Sequence, residues 1–146
     1  MKMSETVTTT GNVNSTAGTG HPYRVFVVED APVVRELLID QIGGIPNVEV
    51  VGYADTESDA INFISSHPCD LVILDIHLKV GNGLDVLKYF STHGSPAGDR
   101  PASVIFSNFV DAGFRQLAAR YGAERFFDKV SGYPALISFV EEMAGG

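Results

Sequence analysis

The chain has 146 residues, 45% of them hydrophobic, and a formal net charge of −8 at pH 7. This length predicts one domain with a proper core, and the acidic balance argues against direct nucleic-acid binding, which usually needs Lys and Arg gathered on one face. No apolar run approaches a membrane span and no signal peptide is evident, so we expect a cytoplasmic protein without membrane contact. The single Cys69 excludes an internal disulfide, and we interpret it as a small buried hydrophobe ahead of a strand.

The first twenty residues are rich in Thr, Ser, Gly and Asn and contain almost no apolar side chains. Such a segment cannot offset the entropy cost of ordering by burying apolar surface. We therefore predict a disordered tail over 1–20 and a folded domain over 21–146.

From residue 23 onward the pattern alternates between strands and helices. Runs of β-branched and aromatic residues predict strands, and apolar residues at helical spacing predict a helix after each of them. The predicted strands cover 23–29, 47–54, 70–75, 102–107 and 123–128. The predicted helices cover 30–42, 56–66, 83–91, 111–122 and 133–143, with a loop over 92–101.

Local signals mark two of the helix ends. Thr56 opens the second helix and Asp59 follows three residues later, in an arrangement like a capping box. Gly43 and Gly44 end the first helix. Five strands, each followed by a helix, predict a doubly wound α/β fold with a five-stranded parallel sheet and helices on both faces.

Polar side chains stand where four of the predicted strands end. They are Glu29 and Asp30 for strand one, Asp75 for strand three, Ser107 and Asn108 for strand four, and Lys129 for strand five. Ligands of doubly wound folds bind beyond the carboxyl ends of the strands. We therefore expect these side chains to converge at one edge of the sheet.

The three carboxylates of Glu29, Asp30 and Asp75 predict a cation site. Clustered negative charges raise one another's pKa unless a cation neutralises them. Oxygen ligands with room left for water suit Mg²⁺ better than a transition metal. We expect a Mg²⁺ site that leaves Asp75 exposed.

Two of the other groups at the strand ends, Ser107 and Lys129, suit a transferred phosphoryl group. A hydroxyl and an ammonium supply the donors and the positive charge that phosphoryl oxygens require alongside Mg²⁺. Asp75 is then the natural nucleophile, because a carboxylate can accept phosphoryl to give an acyl phosphate. The set predicts a phospho-aspartate site.

These features together resemble the response regulator receiver domains of two-component signalling, which have a flavodoxin-like (βα)5 fold. The resemblance covers roughly 23–143 and rests on four segments, "VVEDAP", "LVILDIHLKVGNGLDVL", "VIFSN" and "FFDKVSG". It implies that Asp75 takes phosphoryl from the phosphohistidine of a histidine kinase or a phosphotransfer protein. It also implies that Glu29, Asp30, Asp75 and the backbone carbonyl of His77 hold Mg²⁺, and that Ser107 and Lys129 bind the phosphoryl oxygens.

The resemblance further implies a switch between Ser107 and the aromatic residue three positions before the lysine, Phe126. The sequence departs from the family pattern at Asn108, where a small residue is usual. Our hypothesis is that Asn108 and His77 hinder the attacking water and lengthen the lifetime of the phosphoryl-aspartate. A proline frequently follows the lysine in the family, and Val130 stands there instead.

The implied role is a phosphoacceptor signalling domain and not an enzyme that turns over a substrate. The implied partners are the kinase or phosphotransfer protein and a downstream protein, and helices four and five offer a face for a homodimer. Because the last predicted helix ends near the end of the chain, we expect a stand-alone receiver.

Three other interpretations remain. A phosphatase of the haloacid-dehalogenase type needs a second aspartate two residues after the nucleophile, where this chain has His77. A pseudo-receiver would lack phosphorylation, and the complete set of site residues argues against it. A flavodoxin-type flavin domain would need a Ser/Thr-rich phosphate loop after strand one. Taken alone, Glu29 and Asp30 are better explained as a cap for the first helix than as metal ligands.

Overall fold

The computed structural model describes residues 21–93, 100–108 and 111–145. The tail predicted over 1–20 lies outside these residues, as does most of the loop predicted over 92–101. The strands are β1 Tyr23–Val28, β2 Val48–Ala54, β3 Leu71–Leu74, β4 Ala102–Ser107 and β5 Ala123–Asp128. The helices are α1 Pro32–Gly43, α2 Glu57–Ser66, α3 Gly83–His93, α4 Ala112–Arg120 and α5 Tyr133–Gly145.

The five strands form one parallel sheet in the order β2-β1-β3-β4-β5. Successive residues of a strand point to opposite faces, so the central strands supply two separate cores. Phe26, Val72 and Ile105 pack with α2 and α3 on one face. Val27 and Val104 pack with α1 and α5 on the other face. The predicted doubly wound α/β fold is confirmed.

The strand ends define the edge where the candidate site lies. Val28 pairs with Leu74, so β1 and β3 end level with each other. Strands β4 and β5 end at the paired residues Ser107 and Asp128. Asp75, the first residue after β3, therefore emerges between the ends of its two neighbouring strands.

Several local predictions are confirmed, and α3 and α5 each extend two residues beyond the predicted end. Thr56 Oγ1 accepts a hydrogen bond from the backbone N–H of Asp59 at 3.2 Å and caps α2. Cys69 is buried, and burial raises the pKa of its thiol to about 12. Helix α3 continues through the polar residues predicted as loop and ends at His93, and there Thr92 Oγ1 donates to the Lys88 carbonyl at 2.9 Å. Among the described residues, no helix combines the length and apolarity of a membrane span.

Candidate functional site

Asp75 is the centre of the site, and its backbone lies against β1 and α3. Its backbone N–H donates to the carbonyl of Val28 at the end of β1, at 3.0 Å. On the α3 side, Gly83 lies so close that a Cβ there would overlap the backbone oxygen of Asp75. Asp75, taken as a whole residue, is only 6% exposed. The expectation of an exposed Asp75 is therefore wrong, because neighbouring donors cover the carboxylate.

Those donors are the two groups that the strand ends predicted. Ser107 Oγ donates to Asp75 Oδ1 at 2.5 Å, and Lys129 Nζ donates to Asp75 Oδ2 at 2.6 Å. The backbone N–H of His77 adds a longer hydrogen bond to Oδ1, at 3.3 Å. Both carboxylate oxygens of Asp75 therefore have a charged or polar donor, as a buried carboxylate requires.

Lys129 also binds a second carboxylate, that of Glu29. Its Nζ lies 2.8 Å from Glu29 Oε1, and the other oxygen of Glu29 accepts the backbone N–H of Ala31 at 3.1 Å. Burial raises the pKa of Glu29, and the hydrogen bonds from Lys129 and Ala31 offset only part of that rise. For Lys129, burial alone would lower the pKa, but its bonds to Asp75 and Glu29 outweigh it and raise the pKa. The ammonium therefore stays charged between two carboxylates.

Asp30 completes an acidic cluster. One carboxylate oxygen from each of Glu29, Asp30 and Asp75 lies within 4.8 Å of the others. Three hard oxygen donors from two strand ends match the ligand set of Mg²⁺. The residues present therefore fit this ion, because three carboxylate oxygens lie close together.

The turn after β5 fixes Lys129 by contacts that the sequence analysis missed. Asp128 Oδ1 accepts the N–H of Val130, and the Asp128 carbonyl accepts the N–H of Gly132, both at 2.6 Å. The Lys129 N–H donates to the Ser107 carbonyl at 3.3 Å. An aspartate that bonds the backbone two residues on is a recognised turn signal. It shapes this turn, in which Val130 stands at the position where the family frequently has proline.

His77 and Asn108 are both exposed next to the buried Asp75 and Ser107. The ring of His77 meets Phe114 of α4 edge-on, with 6.5 Å between ring centroids. Their predicted influence on water stays a prediction.

The predicted switch aromatic, Phe126, lies on the face of β5 that packs with α4. It is half-buried, and the Arg115 guanidinium carbon lies 5.3 Å from its ring centroid. Phe127 points to the opposite face and is buried beside Phe139 of α5. Phe127 is thus a core residue, whereas Phe126 lies at the surface near α4.

Sequence reasoning also missed Glu57, at the start of α2. Its carboxylate reaches the segment between β3 and α3 and accepts the N–H of Asn82 at 3.2 Å. No periodicity signals this contact, because it joins a side chain to a backbone group 25 residues away. A glutamate at a helix start is ordinarily read as a partner of the helix dipole.

Comparisons with known proteins agree with the predicted fold and family. A family model described as the response regulator receiver domain matches residues 25–141. A protein-glutamate methylesterase/protein-glutamine glutaminase of Rhodospirillum centenum is 31% identical over 119 residues, which are 82% of this chain and 30% of that protein. The Fimbriae Z protein of Salmonella typhimurium is 30% identical over 108 residues, 74% of this chain and 50% of that protein. The chain thus spans half or less of the length of these relatives.

Solved structures show the same fold. The signal receiver domain of the response regulator NarL from Mycobacterium tuberculosis superimposes with a TM-score of 0.74 at 25% identity, covering 86% of this chain and 98% of that one. The response regulator domain of Thermotoga maritima CheB gives a TM-score of 0.72 at 24% identity, with the same coverage. With its sheet order and matched family model, the chain belongs to the response regulator receiver domain family of two-component signalling.

Proposed function

We propose that Asp75 accepts a phosphoryl group in a Mg²⁺-dependent reaction, and that phosphorylation changes the affinity of this receiver for a partner protein. The contact set of Asp75 carries the proposal. One carboxylate meets a hydroxyl and an ammonium at 2.5 and 2.6 Å, and two further carboxylates lie within 4.8 Å. Membership of the receiver family supports phosphoryl acceptance in general.

The proposed transfer starts from a phosphohistidine on a histidine kinase or a phosphotransfer protein. A carboxylate oxygen of Asp75 attacks the phosphorus, an O–P bond forms, and the N–P bond of the donor breaks. The electron pair of that bond returns to the histidine nitrogen, which takes up a proton. The product is an acyl phosphate on Asp75 and a neutral histidine on the donor.

Glu29, Asp30, Asp75 and the backbone carbonyl of His77 would hold Mg²⁺. The ion would supply positive charge where carboxylate and phosphoryl oxygens approach each other. Lys129 adds a second positive charge, and its contact with Glu29 keeps the ammonium beside Asp75 before transfer. The protein groups thus reduce the repulsion between an anionic nucleophile and an anionic donor.

After transfer, Ser107 and Lys129 are the donors nearest to the new phosphoryl oxygens. Moving the Ser107 hydroxyl from Asp75 to the phosphoryl group would free space beside β4, on the side where Phe126 lies half-buried. An inward shift of that ring would alter its contact with Arg115 and so the surface of α4. That surface is where we place the downstream partner, or a second copy that binds through α4 and α5.

We further propose that 21–146 acts as the signalling domain, with 1–20 as a tail. In this role the domain is a signalling module that transfers phosphoryl to itself and slowly loses it. It does not turn over a separate substrate.

The test is intact-mass measurement after incubation with acetyl phosphate and Mg²⁺. The wild type should gain one phosphoryl group, and Asp75→Asn should gain none. Asp59→Asn is the control, because Asp59 is an exposed aspartate on α2 that should leave phosphorylation unchanged. An unmodified wild type under these conditions would refute the proposal and favour a pseudo-receiver.

A further inference from the structure

The segment between Asp75 and α3, which we call the β3–α3 loop (76–82), lies against the start of α2. The backbone N–H of Glu57 donates to the carbonyl of Val80 at 3.0 Å, and Thr56 forms a parallel bridge with Val80. Two successive residues at the start of α2 therefore hold the loop through backbone contacts.

The side chain of Glu57 adds a contact of a different kind. Its Oε1 accepts the backbone N–H of Asn82 at 3.2 Å in a partly buried position. Gly81 passes directly over Glu57 with φ +84°, and a Cβ there would overlap the Glu57 side chain. The loop is thus shaped to seat this carboxylate, which meets two loop residues at once.

The residue that Glu57 holds is coupled to the residue beside Asp75. Asn82 forms an antiparallel bridge with His77 across the loop, and the next N–H, of Gly83, donates to the Ile76 carbonyl at 2.8 Å. His77 in turn donates its N–H to Asp75 Oδ1. A continuous path of contacts, which begins and ends at a carboxylate, therefore runs from Glu57 through the backbone of Asn82 and His77 to Asp75.

A second side-chain link, between the loop and Asp55 just after β2, is weaker. Lys79 Nζ pairs with Asp55 Oδ2 at 3.0 Å, but the Lys79 side chain is 61% exposed. Exposed ion pairs of this kind contribute little because solvent screens them. Of these two side-chain contacts with the loop, the partly buried one from Glu57 is therefore the stronger.

We propose that Glu57 is a positioning residue for the candidate Mg²⁺ site. By holding Val80 and Asn82 it orients the β3–α3 loop so that His77 presents its backbone carbonyl to the cluster of Glu29, Asp30 and Asp75. Glu57 itself is outside that cluster. This inference rests on the proposed function, because it concerns the same metal site.

The test compares two conservative variants that separate reach from charge. Glu57→Asp keeps the charge but draws the carboxylate back by one methylene, whereas Glu57→Gln removes the charge but keeps an oxygen at the same reach. The affinity of the unphosphorylated protein for Mg²⁺ alone is measured by calorimetry. Asp59→Asn is the control, because it removes a charge from the same helical turn without touching the loop.

Glu57→Asp should bind Mg²⁺ about tenfold more weakly, since replacing a group that orients a metal ligand typically costs about 10- to 100-fold. Glu57→Gln should stay within about threefold of the wild type, because a neutral oxygen still accepts the Asn82 N–H. In the metal-free protein, the amides of 77–82 should exchange faster in Glu57→Asp than in Glu57→Gln. This second measurement does not require a bound ion.

Three outcomes would overturn the inference. Equal Mg²⁺ affinity in the wild type and all variants would remove Glu57 from the site and leave the proposed function intact. Weaker binding in Glu57→Gln than in Glu57→Asp would show that Glu57 acts through its charge and not through the loop. A wild type that does not bind Mg²⁺ would overturn the inference together with the proposed function.

Discussion

Asp75 combines two properties that ordinarily conflict, since it is a carboxylate and it is buried. Removing an unpaired charge from water costs several kcal/mol, so each oxygen must find a donor within the protein. Ser107 and Lys129 provide these donors at hydrogen-bonding distance. Under the proposed function the same two groups would bind the phosphoryl oxygens, so the donors that stabilise the unmodified site would also serve the transfer.

Asn108 stands where the sequence analysis expects a small residue. It is exposed, and it follows Ser107 directly. We predict that Asn108→Ala loses its phosphoryl group several-fold faster, because the smaller side chain leaves more room for the attacking water. The decay of the phosphoryl adduct, followed by intact mass, measures this rate.

Asn62→Ala serves as the control for that measurement, since Asn62 is an exposed asparagine on α2. If Asn108→Ala and Asn62→Ala both decay at the wild-type rate, Asn108 does not shield the acyl phosphate.

The residues brought together at the site were largely predictable, because parallel strands of a doubly wound sheet deliver their carboxyl ends to one edge. Reading those ends placed Asp75, Ser107 and Lys129 in one neighbourhood. Two features had no signal in the sequence. The bridge from Lys129 to Glu29 and the reach of Glu57 to Asn82 both depend on side-chain conformations in three dimensions.

At the scale of elements, α3 begins against the end of β3 with no room for a side chain. Gly83 is buried, and a Cβ there would overlap the Asp75 carbonyl and come within 3.1 Å of a Leu74 methyl group. We predict that Gly83→Ala lowers the free energy of unfolding by roughly 2 kcal/mol, because backbone must shift to relieve the overlap. Urea unfolding measures the change.

Gly44→Ala is the matched control for Gly83→Ala. Gly44 follows α1 at φ −84°, and a Cβ there would meet only ordinary contacts at 3.5 and 3.6 Å. It should leave stability within about 0.5 kcal/mol of the wild type. Equal effects at both positions would contradict the close approach of α3 to β3.

Strands β1 and β3 are also joined at their other end, by Arg24 and Asp70. The carboxylate of Asp70 accepts the Arg24 backbone N–H at 2.8 Å and two guanidinium N–H groups at 3.2 Å each. Partial burial would raise the pKa of Asp70, but the bonds from Arg24 outweigh it and hold the pKa below its ordinary 3.8. The stabilisation is therefore present above that value and is lost as the pH falls through the lower folded-state pKa.

We predict that Asp70→Asn lowers the free energy of unfolding by about 1 kcal/mol at pH 7, a value kept small because the pair is partly exposed. The difference from the wild type should shrink as the pH falls below 3.8 and the wild-type carboxyl begins to gain its proton. Urea unfolding at several pH values measures both. A difference that stays constant from pH 7 to pH 3 would contradict the ion pair.

Element types followed from the sequence, whereas some boundaries and orientations did not. Apolar periodicity placed Leu37 and Leu38 in one helix, but Leu38 is buried and Leu37 is 48% exposed. Adjacent helical residues differ by about 100° in direction, so only the packing partner decides which of them turns inward. The length of α3 was missed because Thr92, a residue type that often favours turns over helix interiors, was assigned to the loop.

At the scale of the whole molecule, the alternation of strands and helices was sufficient to predict the fold. A TM-score of 0.74 at 25% identity shows how little sequence identity this architecture requires. The function of the larger relatives does not follow from it, since the chain spans 30% of the methylesterase and half of the Fimbriae Z protein. The expected stand-alone role stays a prediction, and the claim that can be tested on this domain alone is phosphorylation.

The most direct test of that claim is to locate the phosphoryl group. The wild type is treated with acetyl phosphate, with Mg²⁺ or with a chelator, and borohydride then reduces any acyl phosphate to an alcohol that peptide mass spectrometry can place. We predict a reduced residue at Asp75 that forms with Mg²⁺ and is lost with the chelator. Reduction at another carboxylate, or equal modification of Asp75 without Mg²⁺, would contradict the account.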